Sequence, residues 1–381
     1  MRLNRLAYVA KSKIPSRHAN SVQVMNMIRA FAPLVDTLDV YLPGNLGTRL
    51  RCWSGRLFAA YGRPQPGNAR FTIVSNGQGP DRNFDSSALR ALRPADLVFT
   101  RSATLALALA ERGRAVLFES HVVTRDAAQV PLERLVQALN RAPGSGVVGI
   151  SQAVTNAYAQ AGLSTTRLLT APDGVDLEAF SHVSAGALSR LFGPEIHARP
   201  VLLYTGSLSP EKGAGFLAQA APCLDVNVAI IGGKAEEIAR LGGKAPNLFT
   251  HPNVEHKSIS ALLRDADMLI MPYLPEGDLI EFMSPLKLFE YLATGRPILS
   301  ADLPVLGPIL RDGDNCLFFT PGSAASLAQA MNRLHALTTD QRALLRRKQL
   351  ATAARHSWSQ RAQTILDWQR ALAYPGGTHA T

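Results

Sequence analysis

Two short stretches of this 381-residue chain carry lysine and glutamate at spacings suited to holding an anion and a set of sugar hydroxyls. The first, YTGSLSPEKG at Tyr204–Gly213, follows an apolar strand-like run and leads into a helix read from Pro210. Gly206 permits a tight turn, Pro210 suits the first helical positions, and Lys212 falls where unpaired backbone amides and the helix dipole favour negative charge. That is the chemistry of a diphosphate site. The alternative is an ordinary strand-to-helix turn with a solvated lysine, and without a GxGxxG pattern the turn does not point to a dinucleotide. The second stretch, FMSPLKLFEYLATGRPIL at Phe282–Leu299, reads as a helix capped by Ser284 with Pro285 at its first position. Leu286, Phe289, Leu292 and Ala293 form its apolar face, while Lys287 and Glu290 stand three apart elsewhere on its surface. Amides at its start suit an anion and Glu290 suits ribose hydroxyls; a surface ion pair between Lys287 and Glu290 is the plainer reading.

A third candidate is His121, which FESHVVTR places just beyond a strand end; from the residues alone a structural or solvated histidine is the favoured reading. Cys52, Cys223 and Cys316 are widely spaced with no CxxC pair, which fits neither a disulfide framework nor a zinc site. No cluster of His, Asp or Cys suggests a metal.

The elements that must position these residues alternate between short β-branched runs and segments of helical periodicity, the pattern of parallel α/β sheets. Strands are expected at 6–10, 38–42, 71–75, 97–100, 115–119 and 146–150, with a helix from Asn20 whose Val22, Met25, Ile28 and Phe31 share one face. The rhythm restarts after Pro200, with strands at 201–205, 226–231, 268–272 and 297–300. Between the halves, 171–200 holds a turn at Pro172–Gly174 and a polar helix that reads as a connector. Chain length supports two domains, and 46% hydrophobic and 18% charged residues describe a folded protein; disorder is expected only at 376–381. Open parallel sheets bind ligands at the carboxyl ends of their strands. No apolar stretch reaches the length needed to span a bilayer and no signal peptide is apparent, so a cytoplasmic protein is expected.

With these residues in place, Gly206–Pro297 resembles glycosyltransferase family 4. GSLSPEKG looks like its phosphate loop, HPNVEHKSISALLRDADMLIMP like its nucleotide-side segment, and SPLKLFEYLATGRPIL like its signature helix. The resemblance extends to APDGVDLEAF, RDGDNCLFFTPG and HSWSQRA. It implies a GT-B fold, two Rossmann-like domains facing each other across a cleft. These would be an acceptor-binding domain over 1–180 and a nucleotide-sugar domain over 181–357, with a helix at about 358–375 packing back on the first. It implies a retaining, metal-independent transfer of a hexose-type sugar from a nucleotide-diphosphate donor to a glycan or lipid-linked acceptor, in bacterial surface polysaccharide or glycolipid synthesis. Carried across, Lys212 would meet the diphosphate and Glu290 the ribose. The chain around Gly206, Ser207 and Ser284–Leu286 would hold phosphates and sugar, Val254 would lie near the base, and His121 beside the donor sugar. The loop Lys13–Asn20, with Arg17, His18 and Asn20, would wall the acceptor site. The family's arginine after the loop glycine is replaced by Ser207, with Lys287 as a candidate substitute. The position eight before Glu290 is Phe282, and Glu281 lies one residue out of register.

The formal charge of +11 is concentrated in 1–70, which holds eleven basic and two acidic residues. On a helix through GTRLRCWSGRLFAAYG, Leu50, Trp53, Leu57 and Tyr61 would make one stripe flanked by Arg49, Arg51, Arg56 and Arg63. This suits an anionic membrane interface or a core-facing helix with a solvated basic side. No nucleic-acid-binding module is recognisable and no nucleic-acid partner is expected. The competing functions are a sugar-nucleotide epimerase or hydrolase on the same fold, and a non-catalytic nucleic-acid-binding or regulatory protein.

Overall fold

A computed structural model describes residues 3–373 except 17, 76–83, 182–184, 242–244 and 278–279. The candidate Arg17 and the expected disorder at 376–381 lie outside the described residues. The chain forms two compact units, one of residues 1–173, 282–284 and 358–381, the other of 174–281 and 285–357.

The first unit is built on a seven-stranded parallel sheet: β1 Leu3–Val9, β2 Val35–Gly44, β3 Ala69–Ser75, β4 Leu97–Thr100, β5 Val116–Ser120, β6 Gly146–Gly149 and β7 Leu168–Thr170, in the order β3-β2-β1-β4-β5-β6-β7. The second unit has six parallel strands: β8 Val201–Thr205, β9 Asn227–Ile231, β10 Leu248–His251, β11 Met268–Met271, β12 Ile298–Ala301 and β13 Leu317–Phe319, in the order β10-β9-β8-β11-β12-β13. Both are doubly wound α/β sheets. In each, the strand order reverses beside the first strand, between β1 and β4 and between β8 and β11. At such a reversal the chain leaves neighbouring strands in opposite directions and opens a crevice at their carboxyl ends.

Most strands expected from the sequence form. Sequence reasoning missed β7, β10 and β13, which have only three or four residues each. The helix Ala19–Phe31 buries the expected face, but Gln23, Val24, Asn26 and Met27 are buried too. The C-terminal helix Trp358–Ala373 belongs to the first unit and packs against the helix Ala19–Phe31.

Three local expectations are corrected. The helix Leu46–Trp53 stops at Trp53, so Leu50 and Trp53 are 54% and 90% exposed while Leu57 and Tyr61 turn into the core. The stripe is therefore split between solvent and interior. The segment after Gly174 is no connector: Asp265 accepts the Gly186 and Leu188 amides at 2.9 and 2.7 Å, tying the helix Ala187–Phe192 into the second unit. The break between units consequently falls at 173/174 rather than 180/181. The third correction concerns Pro210, where the chain makes only one 3-10 turn, Pro210–Lys212. A left-handed Gly213 then precedes the helix Ala214–Ala220.

Candidate active site

In the second unit the crevice between β8 and β11 is made narrow by glycines. A side chain at Gly213, whose φ is +73°, would place Cβ 1.6 Å from the Pro272 carbonyl oxygen, and one at Gly232 would lie 1.7 Å from that of Gly206. Only glycine lets these loop backbones approach so closely. Tyr204 donates to the Ser207 carbonyl at 2.6 Å, and the Thr205 amide donates to the Tyr291 hydroxyl at 3.0 Å. The loop after β8 is thus held by two tyrosines.

The lysines converge on this floor. Lys212 Nζ sits 4.8 Å from the centroid of Tyr273, the second residue after β11, and Lys287 Nζ sits 5.4 Å from the same ring and 3.9 Å from Tyr204. Lys287 Nζ is buried and has no hydrogen-bond partner. Burial lowers its pKa well below the usual lysine value, Lys212 lowers it further, and Glu290 opposes the shift. Burial also lowers that of Lys212, against the pull of Glu211. Two cations stacked on aromatic faces gain cation–π attraction, but neither ring can accept the ammonium hydrogen bonds as an oxyanion would. Two basic groups converging beside a glycine loop have the chemistry to receive a diphosphate.

The helix that carries Lys287 runs Leu286–Thr294. Pro285 is its cap residue, with an extended backbone (ψ 123°), and Ser284 does not cap it, because its Oγ accepts the Asp173 amide at 2.8 Å. Glu290, one turn in, is half-buried with His256 Nε2 3.8 Å away. Val254 lies in the loop after β10, whose Asn253 amide donates to Gly233 O at 2.9 Å, so it stands at the same carboxyl edge of the sheet. Gly206, Ser207, Lys212, Val254, Lys287 and Glu290 are therefore gathered at one end of the second unit. Phe282, eight positions before Glu290, packs against the core of the first unit, whereas Glu281 is exposed.

In the first unit a buried polar network surrounds His121. Its Nε2 lies 2.6 Å from Glu119 Oε1 and its Nδ1 3.5 Å from Arg101 Nη2. This geometry assigns the ring proton to Nε2, donating to the carboxylate, with Nδ1 facing the guanidinium. Burial and Arg101 lower the His121 pKa to about 4 against the pull of Glu119, so the ring is neutral at pH 7. Its side chain keeps 24% exposure, enough for a ligand to reach. Burial pushes the Glu119 carboxyl up, but Arg361, His121 and Arg101 outweigh it and hold it below the ordinary carboxylate range.

Arg361, from the C-terminal helix, reaches Glu119 Oε2 at 3.2 Å and the Pro172 carbonyl at 2.8 Å. Gln23 donates to Glu119 at 2.6 Å and to Asp173 at 3.0 Å, and Arg101 donates to Asn20 at 2.5 Å. Asn20 is thereby linked to His121 through one arginine, while His18 caps the helix start without a side-chain cap bond. The sequence reading missed Arg101, which supplies the positive charge that neutral His121 lacks. It follows β4 directly, which was the available signal. Glu119, Asp173 and Arg361 stood inside motifs already noted, FESH, APDG and HSWSQRA.

Residues 199–336, a little over a third of the chain, match the family described as "Glycosyl transferases group 1". The chain is 28% identical over 216 residues to a phosphatidyl-myo-inositol mannosyltransferase of Mycobacterium leprae; the match covers 54% of each protein, so it spans about half of that relative. Among solved structures it resembles Anabaena HepE in complex with UDP (TM-score 0.71, 16% identity, 97% of this chain and 100% of that one). Sucrose-phosphate synthase from Thermosynechococcus elongatus is similar at TM-score 0.72 and 16% identity, over 97% and 99% of the two chains. The chain has the GT-B fold. The matched residues 199–336 lie within its second unit.

Proposed function

We propose that the chain is a retaining glycosyltransferase of family 4, taking a hexose-type sugar from a nucleotide-diphosphate donor. The observation that carries this reading is that Lys212 and Lys287 both converge on the ring of Tyr273, with the Lys287 ammonium lacking any hydrogen-bond partner among the described residues. A diphosphate leaving group would supply the missing acceptors and would be stabilised as its charge develops. Glu290 meets the ribose hydroxyls, Val254 the base, and Lys287 takes over from the arginine that Ser207 replaces. In support, the similar Anabaena protein is described in complex with UDP and with UDP-glucose. His121 and Arg101 act at the donor-sugar and acceptor side. The transfer needs no metal, its charge being met by these lysines and backbone amides.

The acceptor is a glycan or lipid-linked sugar in bacterial surface polysaccharide or glycolipid synthesis, met at the inner face of the membrane. Among the described residues no helix is long and apolar enough to cross a membrane. The helix Leu46–Trp53 instead exposes Leu46, Leu50 and Trp53 (71%, 54% and 90%) among arginines, as an interfacial helix does. Beside it a groove of about 540 Å³ is lined by Trp53, Phe71 and Ile73.

A panel of UDP-, GDP- and ADP-sugars tests the donor reading. One donor should raise the melting temperature and be slowly hydrolysed, and Lys212→Ala should abolish both effects. Indifference to every donor would refute it. Rapid consumption of donor without any acceptor would favour the epimerase or hydrolase instead. Turnover that collapses in EDTA would overturn metal independence. Binding to anionic vesicles should fall with salt and with Trp53→Ala; no binding at low salt would point to a soluble acceptor.

A further inference from the structure

At the opposite edge of the second sheet, where Pro200, Met268 and Pro297 mark the amino ends of β8, β11 and β12, lies a cavity of about 710 Å³. Its wall carries four arginines, Arg264, Arg296, Arg342 and Arg346, together with His335 and a single carboxylate, Asp267. Asp267 is already engaged, accepting the Val201 amide at 2.8 Å. Among the described residues none of the four guanidinium groups is paired with a carboxylate.

Three of them are instead held by backbone carbonyls. Arg264 donates to Phe180 at 3.1 Å; Arg296 donates through Nε and Nη2 to the Arg264 carbonyl at 3.1 and 2.6 Å; Arg342 donates to Leu337 and His335 at 3.1 and 3.0 Å. A carbonyl fixes a guanidinium but does not neutralise it, and each such group has five N–H donors in a planar fork. Arg346 is exposed, and its stem passes over Gly295, where a Cβ would lie 2.9 Å from Arg346 Cγ. Like charges held together in a concavity focus a positive potential. Fixed arginine forks suit phosphate oxygens, which they engage in pairs. The volume matches that of a small-molecule site.

We propose that this cavity binds a phosphate-bearing small molecule at a site separate from the phosphate loop. The claim is independent of the donor reading, because no residue is shared between the two sites. Inorganic pyrophosphate, titrated calorimetrically into the full chain, is the probe. Arg346→Ala should weaken binding at this site tenfold or more without affecting the fold, since that side chain is exposed and makes no hydrogen bond in the described structure. Arg347→Ala removes the same charge from the next position, outside the cavity wall, and should change affinity less than twofold. Lys212→Ala should leave the site intact. Equal weakening by Arg346→Ala and Arg347→Ala would show general surface charge and overturn the proposal. Loss of all pyrophosphate binding in Lys212→Ala, or no binding by the unmodified chain at millimolar pyrophosphate, would overturn it too.

Discussion

Lys287 and Tyr204 form a cation–π pair, with Nζ 3.9 Å from the ring centroid and no hydrogen-bond acceptor for the ammonium. A buried cation so poorly satisfied detracts from folding. Lys287→Met should therefore preserve or raise the melting temperature while weakening nucleoside-diphosphate affinity tenfold or more. Parallel thermal denaturation and calorimetry check this. A lower melting temperature with unchanged affinity would make the lysine structural and remove it from the site.

The same pair sets a pH dependence. Burial and Lys212 lower the Lys287 pKa in the free protein, and an arriving diphosphate favours the charged form. Where the free lysine is partly deprotonated, binding should then take up protons, and affinity should weaken with rising pH before ordinary lysines titrate. Calorimetric heats in two buffers of different ionisation enthalpy should differ for the unmodified chain and agree for Lys287→Met.

His121 offers a spectroscopic prediction. With a pKa near 4 in the folded state against an ordinary 6.5, its NMR ring signals should stay unchanged through pH 6.5 and move only near pH 4. Between those values the unfolded chain binds the extra proton, so this group's contribution to stability is lost as pH falls from about 6.5 to about 4. Arg101→Ala removes a charge that depresses the pKa and should move the titration upward. Asp173 opposes the trend, because burial, aided by Glu119, raises its pKa to about 7. The folded state then holds the extra proton, and this group's contribution declines as pH rises toward 7.

Arg361 and Glu119 form a buried ion pair at 3.2 Å, with side chains 3% and 0% exposed. Arg361→Met should destabilise the first unit by about 3 kcal/mol, the usual effect of removing one partner of such a pair. The double variant Arg361→Met/Glu119→Gln should recover part of that loss in chemical denaturation. Additive losses would show that the pair is not coupled.

The sheets were legible because parallel strands buried on both faces read as continuous apolar runs. The run Val201–Thr205 is wholly buried, whereas β10 is half-buried throughout and ends in His251, which blurs the signal. Lys212 and Glu290 were visible because the turn and helix that aim them are encoded within a few neighbouring residues. Tyr204 and Tyr273 were not recognised as a common floor, since they meet only through the β8–β11 pairing. The partners of Glu119 were hidden for the same reason, Arg361 being 242 residues away along the chain. Local periodicity carries no information about contacts made by a crossover between elements. The continuous helix expected through Tyr61 failed because its apolar residues pack into two different environments, a choice made by tertiary burial rather than by spacing.

The C-terminal helix that supplies Arg361 also bears on biosynthesis. A ribosome releases the first unit's sheet long before it releases Trp358–Ala373, so throughout translation of the second unit Glu119 lacks its strongest counter-charge. Domains otherwise tend to mature in the order in which they are made; here the unit made first is completed last. Chimeras that exchange the second unit must therefore be spliced not only near 173/174 but also near 357/358, with 282–284 kept from the first unit's parent, so that the final helix travels with the unit it completes.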